Sequence, residues 1–220
     1  IRMLNIERFV CNPFQENSYV VSDETKDGVI IDCGTFSKEE RKAIIDYITN
    51  NKITIKHLLA THAHIDHNFG NNTIFEYLGI QPEVYYKDEC LMNSLKEQAM
   101  SFCNYRLNYD FPSVGKYLKD DDNISFGSHK LTIIPTPGHT PGSVFYYCED
   151  ENIAFSGDTL FRMSIGRTDF DFGSYSDIQD SLMKISKVLP KDTVILPGHG
   201  PKTTIGEEIA MNPYINNIEL

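Results

Sequence analysis

The stretch Thr61-His62-Ala63-His64-Ile65-Asp66-His67 places three histidines and one aspartate within seven residues. Residues two apart in an extended chain point the same way, so His62 and His64 can face one ion together. Asp66 and His67 follow at the turn into the next predicted helix and can face a second point nearby. The spacing differs from the i, i+4 histidine pair of a helical HExxH site. This stretch therefore predicts a metal centre that begins where a strand ends.

Three further candidate ligands lie downstream, each a few residues beyond an apolar, strand-like run. They are His139, Asp158 and His199, preceded by Lys130–Ile134, Ile153–Ser156 and Thr193–Leu196, as Ile55–Ala60 precedes His62. Ligand sites of α/β proteins gather beyond strand ends, and the flanking Gly and Pro residues permit tight turns there. Five histidines and two aspartates exceed the needs of one ion, so the sequence predicts two divalent ions. The ligand types suit zinc, and also iron or manganese.

Strand-like and helical patterns alternate along the whole chain, which predicts a layered α/β domain. The remaining strands are predicted at Met3–Val10, Ser18–Val21, Gly28–Ile31, Glu83–Tyr86 and Ser143–Tyr147. Helices are predicted from an N-cap at Ser37 to Asn50, over Phe69–Leu78 with Gly79 ending it, from Asp88 to about Asn108, over Tyr175–Val188 and over Gly206–Met211. Because no linker or repeat is visible, we expect residues 1–220 to form one domain.

The balance of 20 Lys+Arg against 31 Asp+Glu gives a formal net charge of -11, which disfavours nucleic acid and anionic membranes as partners. No apolar run approaches the roughly 20 residues of a membrane span. The five cysteines are scattered and include no CxxC pair, which favours a reducing compartment. Since Ile1 to Asn12 has no signal-peptide layout, the predicted location is the cytoplasm. We expect a small-molecule substrate, and the sequence predicts no particular oligomeric state.

The motifs resemble those of the metallo-β-lactamase superfamily, from Asn17-Ser18-Tyr19 and Ile31-Asp32-Cys33-Gly34 to Pro197-Gly198-His199-Gly200. Thr136-Pro137-Gly138-His139-Thr140-Pro141-Gly142-Ser143 and Gly157-Asp158-Thr159-Leu160-Phe161 look most like the hydroxyacylglutathione hydrolases, or glyoxalase II enzymes. The ending, from Gly200-Pro201-Lys202 to Asn212-Pro213, is similar to the short bacterial branch of that group. The resemblance implies a four-layer αββα sandwich with a dinuclear site on one edge.

The resemblance also implies a role for each candidate residue. His62, His64 and His139 would hold the first metal; Asp66, His67 and His199 would hold the second; and Asp158 would bridge them. Asp32 is either a residue that orients a motif histidine or a turn residue at a strand end. His57 and His129 belong to no cluster and are assigned to structure or surface.

The implied activity is thioester hydrolysis by a hydroxide that the two metals share. Asp66 and Asp158 would be the catalytic carboxylates, which offset part of the metal charge and hold the nucleophile. Arg167 and Lys202 are either anchors for a substrate carboxylate or plain surface cations.

Two features depart from the classical enzymes. The C-terminal helical domain that helps them to bind glutathione is expected to be absent here. The aromatic residue that follows their basic residue is replaced by Thr168-Asp169 after Arg167. The segment at about 90–116, which is rich in Met, Phe and Tyr, is either core packing or a lid over the metal edge.

Other activities remain open on the same fold. A persulfide dioxygenase would use one iron and fewer of the ligands, and a lactonase would present an ester carbonyl to the same hydroxide. A β-lactamase would need export, a phosphodiesterase or nuclease fits poorly with the charge, and a non-enzymatic relic fits poorly with seven retained ligands.

Overall fold

The computed structural model describes residues 3–216, and most of its strands lie in two six-stranded sheets. The first sheet contains, in spatial order, β1 (Asn5–Cys11), β2 (Glu16–Ser22), β3 (Asp27–Ile31), β4 (Thr54–Ala60), β5 (Pro82–Tyr85) and β6 (Lys116–Leu118). Its first three strands are antiparallel, and β3 to β6 are parallel. The connections between its parallel strands carry helices, as parallel pairing requires.

The second sheet is built from the second half of the chain. Its strands are β7 (Asn123–Phe126), β8 (His129–Pro135), β9 (Val144–Cys148) and β10 (Ile153–Gly157), followed after the small hairpin of β11 (Leu160–Phe161) and β12 (Ser164–Ile165) by β13 (Val194–Pro197) and β14 (Thr203–Thr204). The spatial order is β14-β13-β10-β9-β8-β7, and only β10 and β13 pair in parallel.

Helices cover the outer face of each sheet. They are α1 (Lys38–Asn50), α2 (Asn71–Leu78), α3 (Glu89–Met92), α4 (Leu95–Cys103), α5 (Tyr175–Val188) and α6 (Ile205–Met211). Apolar residues of α1 to α4 pack on the first sheet, and those of α5 and α6 pack on the second. The predicted four-layer αββα sandwich of the metallo-β-lactamase type is therefore confirmed.

The central core lies between the two sheets, and its residues alternate along the strands. Tyr19 and Val21 of β2 face the second sheet, whereas Val20 between them packs beneath the helices. Phe155 of β10 faces inward in the same way, while Ala154 packs against α5. Successive side chains of a strand point to opposite faces of the sheet, so a strand buried on both faces needs apolar residues at successive positions. This explains the nearly continuous apolar runs of these strands.

The helix that we predicted from Asp88 to about Asn108 is wrong in its extent, because the chain breaks at Asn93 and Ser94 and ends the second helix at Cys103. The side-chain amide of Gln98 donates to the carbonyl of Leu91 at 2.8 Å, a group that the break leaves outside the helical ladder. Asn104 adopts a left-handed conformation (φ 50°) that stops α4. A break at Asn93 and Ser94 and a left-handed cap at Asn104 thus interrupt a pattern that predicts one continuous helix.

The short strands at the sheet edges and in the small hairpin were not predicted. These are β6, β7, β11, β12 and β14, which have two to four residues each and cannot display a reliable alternation. The longer elements match their predictions closely, and α5 has the predicted bounds, Tyr175–Val188. Within residues 3–216, no helix is long and apolar enough to cross a membrane.

A capping box at the start of α1 offers a test of the predicted N-cap. Ser37 Oγ accepts from the Glu40 amide at 3.1 Å, and the Glu40 carboxylate accepts from the Ser37 amide at 3.2 Å. We expect Ser37→Ala to lower the free energy of unfolding by about 1 kcal/mol, because the helix loses one of its capped donors. Urea unfolding followed by circular dichroism measures this, and Lys38→Ala at the exposed neighbouring position is the control. Equal losses in both variants would contradict the capping role.

Candidate metal centre

The seven candidate ligands converge at one edge of the sandwich. His62, His64, Asp66 and His67 follow β4, whereas His139, Asp158 and His199 follow β8, β10 and β13. Their ligand atoms form three overlapping groups with separations within 4.8 Å: His62 with His64 and His139, His62 with His67 and Asp158, and Asp66 with His67 and His199. Asp158 Oδ2 lies 3.6 Å from His139 Nε2 and 3.5 Å from His199 Nε2. This carboxylate therefore stands between the two ends of the cluster.

Each of three histidines has a partner on the ring nitrogen that faces away from the cluster. His139 Nδ1 lies 2.7 Å from the Arg167 carbonyl, His199 Nδ1 lies 3.0 Å from the Phe14 carbonyl, and His67 Nδ1 lies 2.9 Å from Asp32 Oδ2. Since these partners only accept hydrogen bonds, they assign a proton to Nδ1 and leave Nε2 facing the cluster. The arrangement is the one that metal-binding imidazoles use.

The other two histidines are oriented differently. Thr61 Oγ1 donates to Asp32 Oδ2 at 2.8 Å and can accept from His62 Nδ1 at 3.1 Å, which leaves His62 Nε2 free. His64 instead presents Nδ1, which lies 2.8 Å from His139 Nε2. These two nitrogens face each other closely enough to bind the same ion.

Asp32 fits both descriptions that the sequence left open. It ends β3 in a left-handed conformation (φ 56°), as a turn residue does. Its carboxylate also accepts from the Thr61 amide at 2.7 Å and contacts His67. It therefore links the first and last residues of the Thr61–His67 motif.

Burial and charge set the protonation of the histidines. Burial lowers the pKa of His64 to about 3 and lowers that of His62 well below its usual range, so both rings are neutral at pH 7. Burial also acts to lower the pKa of His67, but Asp158, Asp66 and Asp32 outweigh it and raise that pKa well above its ordinary value. For Asp158, burial acts to raise the pKa, and His67 overcomes it and holds the carboxyl ionised.

Unpaired buried atoms test whether this centre suits metal ions. His62 Nε2, His67 Nε2 and Asp158 Oδ1 are buried and have no hydrogen-bond partner, although the last two lie 3.3 Å apart. Leaving such atoms unpaired is costly, and a shared cation would satisfy all three. The donor set of imidazoles and carboxylates therefore fits divalent metal ions.

Comparison with known proteins agrees with this centre. The model of the metallo-beta-lactamase superfamily matches residues 11–199. The chain belongs to this superfamily. The hydroxyacylglutathione hydrolase GloC of Haemophilus influenzae is 33% identical, over 97% of this chain and 99% of its own length. This relative is consistent with the glyoxalase II-like branch.

Two solved metallo-β-lactamase-fold structures are also similar. The BLEG-1 B3 metallo-beta-lactamase superposes with a TM-score of 0.88 at 31% identity, covering 97% of this chain and 100% of its own. The di-iron-bound form of TTHA1623 superposes with a TM-score of 0.84 at 28% identity, covering 94% and 99%. The second structure contains iron, so the superfamily fold by itself does not select zinc.

Asp88 is a buried residue at this edge that sequence reasoning did not single out. Its carboxylate accepts from the Ala63 amide at 2.8 Å, the Thr140 hydroxyl at 2.8 Å and the Gly142 amide at 2.6 Å. It thereby fixes the loop of the first motif to the loop that carries His139. The sequence showed only an acid at the start of a predicted helix, and the partners of Asp88 are distant in sequence.

Glu16 and Asn17 were also missed as parts of the site. Asn17 Nδ2 donates to the carbonyls of Pro197 and Gly200 at 2.9 Å each, which holds the turn around His199. Glu16 is fully buried, with Oε2 accepting from Ser18 at 2.8 Å and Oε1 3.9 Å from His67 Nδ1. Burial raises the pKa of Glu16 well above its usual range.

A cavity of about 490 Å³ opens onto the centre, and five of the seven candidate ligands line it. Arg167 also lines it, but its guanidinium is paired with Asp169 through two hydrogen bonds of 2.9 Å. Lys202 is not among the lining residues of this cavity; it borders a separate groove together with Arg8. The structure thus brings Arg167 to the cavity and leaves Lys202 elsewhere.

The remaining histidines lie outside the centre. His57 contacts Glu83 at 2.6 Å, and buried His129 lies 3.2 Å from both Asp23 and Glu151. The segment at 90–116 divides: Leu91 and Leu95 pack in the core, whereas Ser101 and Phe102 line the cavity. Its motion as a lid stays a prediction.

Gly198 provides a test of how tightly the centre is packed. A Cβ atom there would collide with Asp158 Oδ1 and would lie 2.6 Å from His67 Cε1, whereas one at Gly200 would meet nothing within 4 Å. We expect Gly198→Ala to weaken metal affinity about tenfold or more, because both side chains must shift. Competition with a chromophoric chelator measures the affinity. Gly200→Ala is the control in the same turn; its positive φ (76°) costs roughly 1–2 kcal/mol of stability but should leave the affinity unchanged. Equal affinities in both variants would contradict the prediction.

Proposed function

We propose that this chain is a dinuclear-metal thioester hydrolase of the glyoxalase II-like type, with zinc as its metal. The observation that carries the proposal is the convergence of five imidazoles and two carboxylates, with one ring nitrogen of each imidazole turned inward. The 33% identical hydroxyacylglutathione hydrolase supports the thioester as substrate class.

We assign His62, His64 and His139 to one metal, and Asp66, His67 and His199 to the other, with Asp158 shared. Two of the groups of ligand atoms support this division, and Asp158 lies 3.3, 3.6 and 3.5 Å from His67, His139 and His199. Asp32 is assigned to hold His67, and Asp88 is assigned to hold the two motif loops together.

When bound, two divalent ions lower the pKa of a coordinated water and supply positive charge for a developing oxyanion. Asp66 and Asp158 are the proposed catalytic residues, since their carboxylates line the cavity and lie 3.2 and 3.5 Å from His199 Nε2. There they orient the attacking water and accept its hydrogen bonds. Hydrolysis consumes one water and yields a carboxylic acid and a thiol.

The B3 metallo-β-lactamase at 31% identity supports one second candidate, the hydrolysis of a β-lactam amide. Both reactions add water to a carbonyl carbon, and they differ in the leaving group. A chromogenic cephalosporin assayed in parallel separates the two candidates.

The first experiment combines elemental analysis of the purified protein with release of thiol from S-lactoylglutathione and from acyl thioesters of N-acetylcysteamine. We expect two metals per chain and thiol release. His67→Ala should reduce turnover by about 100-fold or more, since even residues behind the ligands contribute 10- to 100-fold in such sites. His57→Ala is the control, because this histidine pairs with Glu83 outside the centre.

Other outcomes identify other reactions. One iron per chain, with oxygen uptake on a persulfide and no thiol release, would replace the proposal with a persulfide dioxygenase. Hydrolysis of lactones alone would make the protein a lactonase. Full metal content and turnover in His67→Ala would remove that residue from the centre.

A further inference from the structure

The cavity wall beside the metal centre is aromatic. Phe102 of α4 and Phe170 pack against each other with ring centroids 5.5 Å apart, and Phe170 lies 5.5 Å from the His64 ring and 6.2 Å from the His139 ring. On the other side, Phe161 lies 6.0 Å from His199. Phe14, Ile65 and Ile165 complete the apolar lining. The cavity beside the candidate ligands is therefore flanked by aromatic rings on two sides.

The cation nearest to this wall is already paired. Within the described part of the chain, Arg167 is the one Lys or Arg side chain that lines the cavity. Asp169 binds it through both Nε and Nη2, and its guanidinium lies 4.2 Å from the centroid of the Phe170 ring. The pair is exposed, so it contributes little to stability, but it neutralises the charge and places a flat surface on the ring. Arg167 and Phe170 together thus extend the apolar wall.

The surface that continues from this wall is acidic. A groove adjoining the cavity along Phe102 and Phe170 is bordered by Glu97 and Asp171, and by Asp169, whose charge Arg167 balances; its described lining includes no Lys or Arg. The carboxylates of Glu97 and Asp171 beside the cavity repel an anionic substrate. Glutathione, with two carboxylates and one ammonium group, meets repulsion here and finds no unpaired cation.

We infer that this site takes thioesters with an apolar, preferably aromatic, acyl group on an uncharged thiol carrier, and that it discriminates against glutathione thioesters. The inference rests on the proposed thioester hydrolysis for its reaction, and on the aromatic wall and the paired Arg167 for its substrate class. Phe170 is its main specificity-determining residue, since it contacts two candidate ligands, Phe102 and Arg167.

The test compares thioesters that share an acyl group and differ in carrier. We expect kcat/KM for benzoyl-N-acetylcysteamine to exceed that for benzoylglutathione on the order of tenfold, with the difference shrinking as salt is added. Along a straight-chain acyl series on N-acetylcysteamine, each methylene that becomes buried should raise kcat/KM roughly three- to fourfold. Equal or better turnover of the glutathione thioesters would overturn the inference.

Variants of the wall separate its two parts. Phe170→Ala should lower kcat/KM for the benzoyl thioester about tenfold and for the acetyl thioester much less. Phe75→Ala is the matched control, an exposed phenylalanine of α2 outside the cavity lining, and should change neither value of kcat/KM.

Asp169→Asn should release the Arg167 guanidinium and therefore raise kcat/KM for the glutathione thioester relative to that for the neutral thioester. Arg167→Ala should lower kcat/KM equally for the thioesters of both carriers, because the packing of the guanidinium on Phe170 is lost. A rise in KM for the glutathione thioester alone would show that Arg167 holds the carrier.

Binding of thioethers, which cannot be hydrolysed, distinguishes a failure of this inference from a failure of the proposed function. Calorimetry with N-acetyl-S-benzylcysteamine and S-benzylglutathione should give about tenfold tighter binding of the neutral compound. If no thioester is hydrolysed but the neutral thioether binds more tightly, the proposed thioester hydrolysis is wrong, and the preference of the pocket for an apolar group on an uncharged carrier stands. If thioesters are hydrolysed but S-benzylglutathione binds as tightly, the reaction stands and the inference is wrong.

Discussion

The concentration of buried carboxylates around His67 is the constraint on which the rest of this edge depends. The side chain of His67 is fully buried, with Asp32 2.9 Å from one nitrogen, Asp158 3.3 Å from the other, and Glu16 and Asp66 within 4 Å. Ionised carboxylates are costly to bury unless positive charge balances them. In the metal-free chain a proton on His67 supplies part of this balance, which is why its pKa is raised. Divalent cations supply more, so the fold favours the bound state electrostatically.

Holding these groups in place requires the two sheets to meet firmly at this edge. Hydrogen bonds cross the seam at several points: Tyr146 donates to the carbonyl of Ala60 at 2.8 Å, and Tyr19 donates to that of Pro197 at 2.8 Å. Asn17, Asp32 and Asp88 add links between the loops that carry the candidate ligands. Because each link satisfies a backbone group that the end of a strand leaves unpaired, the same bonds that terminate the strands also aim the histidines. Architecture and site therefore share one set of contacts.

The sequence predicted the parts of this arrangement that depend on local pattern. Strand-like runs of four to eight residues located the longer strands, Ser37 marked the start of α1, and the spacing of His62, His64 and His67 indicated the centre. Contacts between residues distant in sequence escaped it. The side-chain amide of Gln98, within the predicted helix, donates to the carbonyl of Ala63 in the first motif, 35 residues away. Asp88 joins two loops 25 and 52 residues distant. A single buried acid or amide carries no periodicity, so only the folded chain reveals its partners.

Reaction and specificity are built from different parts of the fold. Every candidate ligand follows a strand of the two sheets, where the backbone is fixed by pairing on both sides. The aromatic wall comes instead from α4 and from the loop that follows β12, neither of which contributes a candidate ligand. Loops and short helices tolerate substitution better than paired strands, because fewer buried contacts constrain them. Thr168-Asp169, which replaces the aromatic residue expected after Arg167, lies in such a loop, and Asp169 neutralises that cation. A change of substrate class thus needs no change at the metal edge.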